Sequence, residues 1–474
     1  MAADALAFLR GSAHLFYEDM ARQGVLGRSS CAGAVTWTQG DSHLLNFGSL
    51  DDDKGNVVYD LNDFDEAFVS DGMVDVLRHV TSIAVLGSVN KLSATDRADG
   101  VSAFAAGYKA QLEAFRGNSN EKSFQLTASN AYGQIDDFLV STASADSRAA
   151  MLKKWTSSSN GVRTFDLSYV KLAAVSSAER TAVAAAIAAY RSTVTSLLGS
   201  SASYFAVKDV ARRLDAGIGS LGVVRYYVLI EGGSSSTSDD RILDVKQQRS
   251  APSQTGLLTA AQIAATMNNS LVGNHQGARV SLANKAMLGN ADDHLGYATI
   301  SGSQYSVREL SPYKESIDTT LISSHDRMTK FAEQHGMVLA AAHARGDADF
   351  SAAFPAAADY ETSFKALPGY AGFSAEVLLF AQQYASQVKT DYALFITLVK
   401  ANKLGTSGIA LPAEAPELTV DAPGDEAPGE VAPIVIGASV SAALLVLGTL
   451  AVLHRRRARQ QRKQAVVEIA LPAL

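Results

Sequence analysis

The sequence predicts an α+β protein of two lobes that is followed by a transmembrane helix. Alanine-rich stretches with helical periodicity dominate the first 200 residues, and β-branched and aromatic runs dominate 205–310. A chain of 474 residues with 47% hydrophobic content can bury a sizeable core. The net charge of −7 argues against a nucleic-acid partner, and the single cysteine excludes an internal disulfide or a cysteine-based zinc site.

Composition divides the chain into six expected segments. These are a helical lobe with a catalytic loop and a metal-binding strand end (1–200), a β-rich nucleotide-binding lobe (201–320), C-terminal helices of the globular region (321–404), an acidic, proline-rich disordered stalk (405–433), a transmembrane helix (434–453) and a basic tail (454–474). Helices are predicted at roughly 75–90, 95–115, 143–155, 176–199, 326–345 and 374–401, with strands clustered at 35–63 and 205–310.

The most informative motif runs from Gly40 to Asn46 and is followed by the acidic segment Asn62–Glu66. Short strands are predicted before each segment, so both motifs should lie at one end of a hairpin. Phosphoryl transfer from Mg-ATP needs a carboxylate beside the attacking hydroxyl, and amide and carboxylate oxygens on the metal. We therefore predict Asp41 and His43 as catalytic residues, and Asn46, Asp63 and Asp65 as magnesium ligands. The alternative is an acidic, solvated hairpin without a ligand.

A second motif, Gly-x-Gly-x-x-Gly, spans Gly217–Gly222 and is weak evidence alone. A dinucleotide fold would need a helix after it, but 223–230 is β-branched and aromatic and predicts a strand. A kinase glycine loop joins two strands over the phosphates. Lys246 ends the next apolar strand, where a kinase lysine contacts ATP, although a surface lysine is the alternative. The predicted nucleotide-binding residues are Gly217, Gly219, Ser220, Gly222 and Lys246.

These motifs resemble known families. The run from Gly40 to Asn46 resembles the catalytic loop of aminoglycoside and choline kinases, and Asp63 to Asp65 resembles their metal-binding strand end. The chain is more similar to the family called domain of unknown function 2252, over roughly residues 1 to 402. The matching segments are Phe8–Gly11, Gly40–Gly48, Leu61–Glu66, Gly217–Gly222, Asp244–Lys246, His343–Asp347 and Asp391–Tyr392.

The resemblance implies a protein-kinase-like two-lobed fold, in which Asp75 braces the catalytic loop and the segment 305–312 meets the adenine. Because the catalytic loop precedes the glycine loop, the fold would be circularly permuted. Kinases pair the strand lysine with a helix glutamate, yet no acidic residue lies between Lys246 and Asp292. Either Lys246 pairs with a distant residue such as Glu309 or Asp63, or the nucleotide is held differently, or ATP is bound without turnover.

Two further expectations concern the C-terminal half. The segment His343–Arg345 should be a cationic last turn that faces the dipole of its own helix. The uncharged run 434–453 precedes a cluster of arginines, which predicts a single-pass membrane protein. Its small residues from Gly437 to Ser441 would support a homodimer through this helix.

The basic tail indicates a cytoplasmic C terminus and hence an extracytoplasmic or lumenal globular region. No signal peptide precedes the first motif, so either the native N terminus lies upstream of Met1 or the protein is tail-anchored with a cytosolic domain. We favour the first of these.

The sequence thus predicts a membrane-anchored kinase-like phosphotransferase that uses ATP and Mg on an unknown acceptor. The alternative is a pseudokinase that acts as a nucleotide-binding or scaffold module. The missing helix glutamate favours the pseudokinase, whereas the intact Asp41, Asn46, Asp63 and Asp65 favour the enzyme.

Overall fold

The computed structural model describes residues 1–194, 197, 203–214 and 222–401. The strands are β1 (Val35–Thr38), β2 (Phe47–Asp51), β3 (Val57–Leu61), β4 (Phe68–Asp71), β5 (Thr156–Ser159), β6 (Val162–Phe165), β7 (Leu172–Ala174), β8 (Val207–Arg213), β9 (Arg225–Ile230), β10 (Arg241–Gln247), β11 (Gly296–Ile300) and β12 (Ser303–Glu309). Six of them form an antiparallel sheet in the order β11-β12-β10-β9-β8-β7, and the others form three two-stranded sheets, β1-β4, β2-β3 and β5-β6.

Helices make up most of the remaining regular structure. They are α1 (Ala5–Arg10), α2 (Ala13–Gln23), α3 (Val25–Arg28), α4 (Met73–Val89), α5 (Ala94–Phe115), α6 (Gln134–Ala145), α7 (Arg148–Trp155), α8 (Ser177–Tyr190), α9 (Pro252–Gly256), α10 (Ala260–Met267), α11 (Gln276–Met287), α12 (His325–Arg345), α13 (Tyr360–Lys365) and α14 (Phe373–Lys400). The helices predicted near 75–90, 95–115, 326–345 and 374–401 are confirmed as α4, α5, α12 and α14. The helix predicted at 176–199 ends earlier, at Tyr190.

The central strand β10 divides its side chains between two faces of the sheet. Val245 packs with Ile187 and Tyr190 of α8 in one buried apolar cluster. Because side chains alternate along a strand, Asp244 and Lys246 lie on the opposite face. That face carries the charged residues that meet the loop after β3.

Helices α5 and α12 approach each other closely through glycines. A Cβ on Gly107 would lie 2.3 Å from the carbonyl oxygen of Glu333, and a Cβ on Gly336 would lie 2.3 Å from that of Phe104. No side chain fits at either position while the helices keep this separation. The two helices therefore pack closely together, and α12 also contacts β1 and β3.

The predicted fold class is wrong. The chain is a mixed α/β protein in which Met1 and residues 6–386 form one compact unit rather than two lobes. Strand β7, from the predicted helical lobe, is an edge strand of the six-stranded sheet. The kinase-like, permuted arrangement was inferred from the order of motifs, and motifs specify local loops without specifying how the other elements pack around them.

The described part of a second unit comprises residues 2–5 and 387–401. Within it, the hydroxyl of Tyr392 donates a hydrogen bond to the carbonyl of Ala2 at 2.9 Å. No helix among the described residues is long and apolar enough to cross a membrane. The predicted stalk (405–433), transmembrane helix (434–453) and basic tail (454–474) lie outside the described residues.

Candidate functional site

The loop that follows β1 is held by the buried carboxylate of Asp75, in the first turn of α4. Its oxygens accept hydrogen bonds from the N–H groups of Gln39 at 2.5 Å and Gly40 at 2.9 Å. Gly40 has φ +83°, and a Cβ there would lie 2.0 Å from the carbonyl oxygen of Glu66, so only glycine fits. The predicted bracing role of Asp75 is confirmed.

Asp41, the predicted base, forms an ion pair with Arg78 of α4. One carboxylate oxygen accepts from Nε of Arg78 at 2.8 Å and from Nη2 at 2.6 Å, and the other lies 3.4 Å from Nε2 of His43. Burial alone would raise the pKa of Asp41, but Arg78 and His43 together outweigh this effect and keep the pKa below its usual value. Asp41 is therefore ionised at neutral pH.

Asn46 connects the predicted catalytic loop to the acidic segment. Its side-chain nitrogen donates to the main-chain carbonyl of Asp41 at 2.9 Å. Its main-chain carbonyl accepts from the N–H of Asn62 at 3.0 Å. Asn62 immediately precedes Asp63, so the two predicted metal-binding segments lie side by side.

Lys246 of β10 lies against these acidic residues. Its ammonium group forms a short ion pair with Asp65, whose other carboxylate oxygen accepts from Nε2 of Gln248 at 2.9 Å. Burial would raise the pKa of Asp63, but Lys246, then Lys314 and Arg308, hold it well below its usual range. Lys246 therefore pairs with neither of the two partners named for it: it binds Asp65, two residues after the predicted Asp63, and Glu309 pairs with Arg148 and Arg241.

Cations outnumber carboxylates in this cluster. It contains the carboxylates of Asp63, Asp65 and Asp244 and the cations of Arg225, Lys246, Arg308 and Lys314. Arg225 and Asp244 form a bidentate pair with two N–O distances of 2.5 Å. Burial, followed by the charge of Arg308, lowers the pKa of Lys314 to about 7. The site is thus short of negative charge when every member is ionised.

Two cavities adjoin this cluster. A small one of about 20 Å³ is lined by Asp63, Asp65, Asp244, Lys246 and Arg308, and it has room for about one water-sized group. A larger one of about 290 Å³ includes Leu50, Leu61, Leu288 and Leu310 in its lining. Asn284, Leu295 and Arg308 line both cavities, which are therefore neighbours.

The structure describes only the last residue of the predicted glycine loop, Gly222. Gly217, Gly219 and Ser220 lie outside the described residues. Gly222 has φ +71°, and its carbonyl accepts a hydrogen bond from Nη2 of Arg249 at 2.6 Å. The strand predicted immediately after the loop is confirmed as β9. The contact between the loop and Lys246 stays a prediction.

A protein-family model described as an uncharacterized protein conserved in bacteria, DUF2252, matches residues 1–398. The chain belongs to the DUF2252 family. No curated protein and no solved structure is similar to it.

Another segment that the DUF2252 resemblance rested on, His343–Asp347, lies behind the catalytic loop. His343 is fully buried, and its Nε2 lies 3.2 Å from Asp75 while its Nδ1 lies 2.7 Å from the hydroxyl of Tyr108. Arg345 donates to the main-chain carbonyl of Met287 at 2.6 and 2.8 Å. The predicted basic residues do lie in the last turn of α12, and their side chains also form hydrogen bonds with neighbouring elements.

Four cations of the DUF2252 site, Arg78, Arg225, Arg308 and Lys314, were not predicted from the sequence. Arg78 could have been found from the sequence, because it lies one helical turn after Asp75 and therefore on the same face of α4. Arg308 lies opposite Asp244 in the β10-β12 register, which requires knowledge of the strand pairing. Lys314 follows β12 in an irregular segment and offers no local pattern.

Proposed function

We propose that this DUF2252 protein is a phosphotransferase that uses Mg-ATP. Asp41 orients the acceptor hydroxyl and takes its proton, Asn46, Asp63 and Asp65 hold magnesium, and Lys246 binds phosphate oxygens. The observation that carries this proposal is the meeting of Lys246 with Asp63 and Asp65 in a partly buried cluster with more cations than carboxylates.

The charge of the cluster supports an anionic ligand. Burial of a cation is costly, and the lowered pKa of Lys314, which donates a hydrogen bond to the carbonyl of Asn62 at 3.3 Å, reflects that cost. A phosphate group beside Lys246, Arg308 and Lys314 would supply the missing negative charge. Basic side chains around a phosphate also stabilise charge on the transferred group.

The same residues suit magnesium. Carboxylates and an amide carbonyl are the oxygen donors that this ion prefers, and Asp63, Asp65 and Asn46 provide them. The nitrogen of the Asn46 amide is engaged by Asp41, which leaves its oxygen as the ligand atom. Bound magnesium supplies neutralisation of the charge that develops on the phosphates during transfer.

Cavity sizes indicate how the nucleotide would fit. The small cavity at Lys246 cannot take a triphosphate unless Lys246 and Asp65 separate. The 290 Å³ cavity beside it is near the lower end of small-molecule sites, which range over about 300–1,000 Å³. Its leucines offer an apolar surface for a base, whereas the N–H groups of Glu309 and Leu310 are already donated to Asp292 and to the carbonyl of Ile242.

The second candidate, a pseudokinase that binds nucleotide without turnover, is favoured by the hydrogen bonds of the two key carboxylates. Asp65 is engaged by Lys246 and Gln248, and one oxygen of Asp41 accepts both N–H groups of Arg78. A carboxylate held in this way is a weaker base than a free one.

The test is Mg-dependent ATP binding and turnover by the full chain, measured by thermal shift and by phosphate or pyrophosphate release. We expect Asp41→Asn to abolish turnover and retain Mg-ATP binding, and the exposed control Asp326→Asn to retain both. Binding without turnover in the unmodified protein would select the pseudokinase. A folded protein that does not respond to Mg-ATP would contradict both candidates.

A further inference from the structure

We propose that His343 is a positioning residue for the loop that carries Asp41, and that it acts through Asp75. His343 opens the segment His343–Asp347, which supported the family resemblance and has no part in the proposed chemistry. The role of Asp41 rests on the proposed function, whereas the effect of His343 on the loop can be measured without turnover.

A continuous chain of hydrogen bonds leads from Tyr360 to this loop. The hydroxyl groups of Tyr360 and Tyr108 lie 2.7 Å apart, and the hydroxyl of Tyr108 lies 2.7 Å from Nδ1 of His343. Nε2 of His343 lies 3.2 Å from Oδ2 of Asp75. The carboxylate of Asp75 accepts the two main-chain N–H groups that immediately precede Asp41. His343 therefore contacts the residue that braces the loop.

The direction of these hydrogen bonds follows from the chemistry of the groups. A carboxylate only accepts, so Nε2 of His343 carries the hydrogen that it donates to Asp75. Nδ1 of the neutral ring then accepts from the hydroxyl of Tyr108, which in turn accepts from Tyr360. Asp347 accepts the N–H of Tyr360 at 2.9 Å at the far end of the chain. Tyr108 thus fixes the tautomer in which His343 can donate to Asp75.

The four side chains of this network are completely buried. Asp75, Tyr108, His343 and Tyr360 each have 0% of their surface exposed. Buried polar groups are costly unless they are paired, and apolar residues could fill the same space without needing partners. A fully paired buried network instead holds its members in one arrangement. The network therefore fixes the position of Asp75 more than it adds to the apolar core.

The same segment also holds the strand that leads into the loop. The hydroxyl of Thr36 in β1 donates to the carbonyl of His343 at 2.7 Å. The N–H of Trp37, the next residue, donates to the carbonyl of Gly346 at 3.0 Å. The segment therefore fixes both the strand that enters the loop and, through Asp75, the loop itself.

The position of the loop matters because proton transfer depends on where the base lies. Asp41 directly follows Gly40, so a shift of the main chain at Gly40 moves the Asp41 carboxylate relative to the acceptor hydroxyl. Displacement of a reacting group by about 1 Å can cost about 100-fold in rate. Loss of the His343 contact should therefore lower kcat, while the KM for ATP, which depends on the cluster around Lys246, should change little.

The experiment compares Tyr108→Phe with the unmodified full chain by hydrogen exchange and by phosphate release from Mg-ATP. This change keeps the ring and removes the hydroxyl that orients His343. We expect faster exchange of the Gln39 and Gly40 amides and a kcat about 10- to 100-fold lower, with the KM for ATP unchanged. His343→Gln, whose side-chain N–H can replace that of Nε2, should retain more amide protection and more kcat than His343→Leu.

Tyr132→Phe is the matched control, because it removes a hydroxyl that donates to Glu333 of the same helix at 2.7 Å and lies outside this network. It should leave amide exchange and kcat unchanged. If His343→Leu does not fold, Tyr108→Phe decides the outcome.

Amide exchange in Tyr108→Phe equal to that of the control would overturn the proposal, whether or not the protein turns over ATP. Faster exchange with the kcat of the control would also overturn it, because the loop would then move without effect on the reaction. Faster exchange in a protein that shows no turnover at all would support the effect of His343 on the loop and contradict the phosphotransferase.

Discussion

Lys246 and Asp65 are 181 residues apart in the sequence and form an ion pair in the fold. The pair joins the central strand of the large sheet to the acidic segment behind the catalytic loop. Lys246 is buried, and the carboxylates of Asp63 and Asp65 raise its pKa against the opposing effect of burial. The two motifs that carry the proposed chemistry therefore meet through this contact.

Lys246→Met should destabilise the protein and abolish nucleotide binding. Loss of one partner leaves Asp63 and Asp65 without their nearest cation, and breaking a largely buried pair costs about 3 kcal/mol. Urea denaturation at pH 7 measures the change in the free energy of unfolding. Lys122→Met removes an exposed pair with Asp349 and should leave this free energy unchanged. Equal stability of the two variants would contradict a structural role for the Lys246 pair.

Asp75→Ala should loosen the catalytic loop. It leaves the buried N–H groups of Gln39 and Gly40 without acceptors, at about 1–3 kcal/mol for each. Asp75→Asn keeps one acceptor oxygen and should cost less. Chemical denaturation gives the stabilities, and hydrogen exchange at these two amides reports the local change. If both amides are as well protected from hydrogen exchange in Asp75→Ala as in the unmodified protein, Asp75 does not brace this loop.

Acid should destabilise the protein through two buried histidines, His79 and His335. Nε2 of His79 lies 3.2 Å from Nδ1 of His335, whose Nε2 lies 2.8 Å from the hydroxyl of Tyr59. Burial lowers the pKa of both, that of His335 to about 3. Below the unfolded pKa of about 6.5 these histidines bind protons in the unfolded chain but not in the folded chain. The free energy of unfolding therefore falls by up to about 1.4 kcal/mol per pH unit for each histidine.

The measurement is the slope of the unfolding free energy between pH 7.5 and 5.5. Glu66, with its pKa raised to about 8, contributes in the opposite direction, since the folded state holds that proton more tightly. Variants must therefore be compared with the unmodified chain. His335→Gln should reduce the acid-dependent loss, whereas the exposed His325→Gln should not. The same slope in His335→Gln and the unmodified protein would refute this assignment.

Gly336→Ala should destabilise the pair of α5 and α12. Alanine usually stabilises a helix interior relative to glycine, but here its methyl group would meet the carbonyl of Phe104 at 2.3 Å. We expect a loss of about 1–3 kcal/mol from overpacking. Gly27→Ala is the control, because a Cβ there meets nothing within 4 Å. A Tm for Gly336→Ala at or above that of the control would show that the helices can separate at little cost.

Short-range patterns in the sequence were sufficient for the strands that carry the site residues. The strand at 57–59 and the position of Lys246 on a strand follow from strand composition. The predicted pairing of the strands at 35–37 and 57–59 in one hairpin is wrong, because β1 pairs with β4 and β3 pairs with β2. The bracing role of Asp75 was implied by the resemblance to kinases. The strands depend on neighbours in the chain, which is why composition and spacing predict them.

Long-range packing accounts for the features that the sequence did not predict. Three features depend on which elements become neighbours in the fold. They are the ion pair of Lys246 with Asp65, the ion pair of Arg78 with Asp41, and the burial of His343 and Arg345. The predicted two-lobed fold was wrong for the same reason, since β7 and α12 pack across the expected boundaries. Burial and charge pairing arise only when distant segments meet, and a motif carries no information about its distant partners.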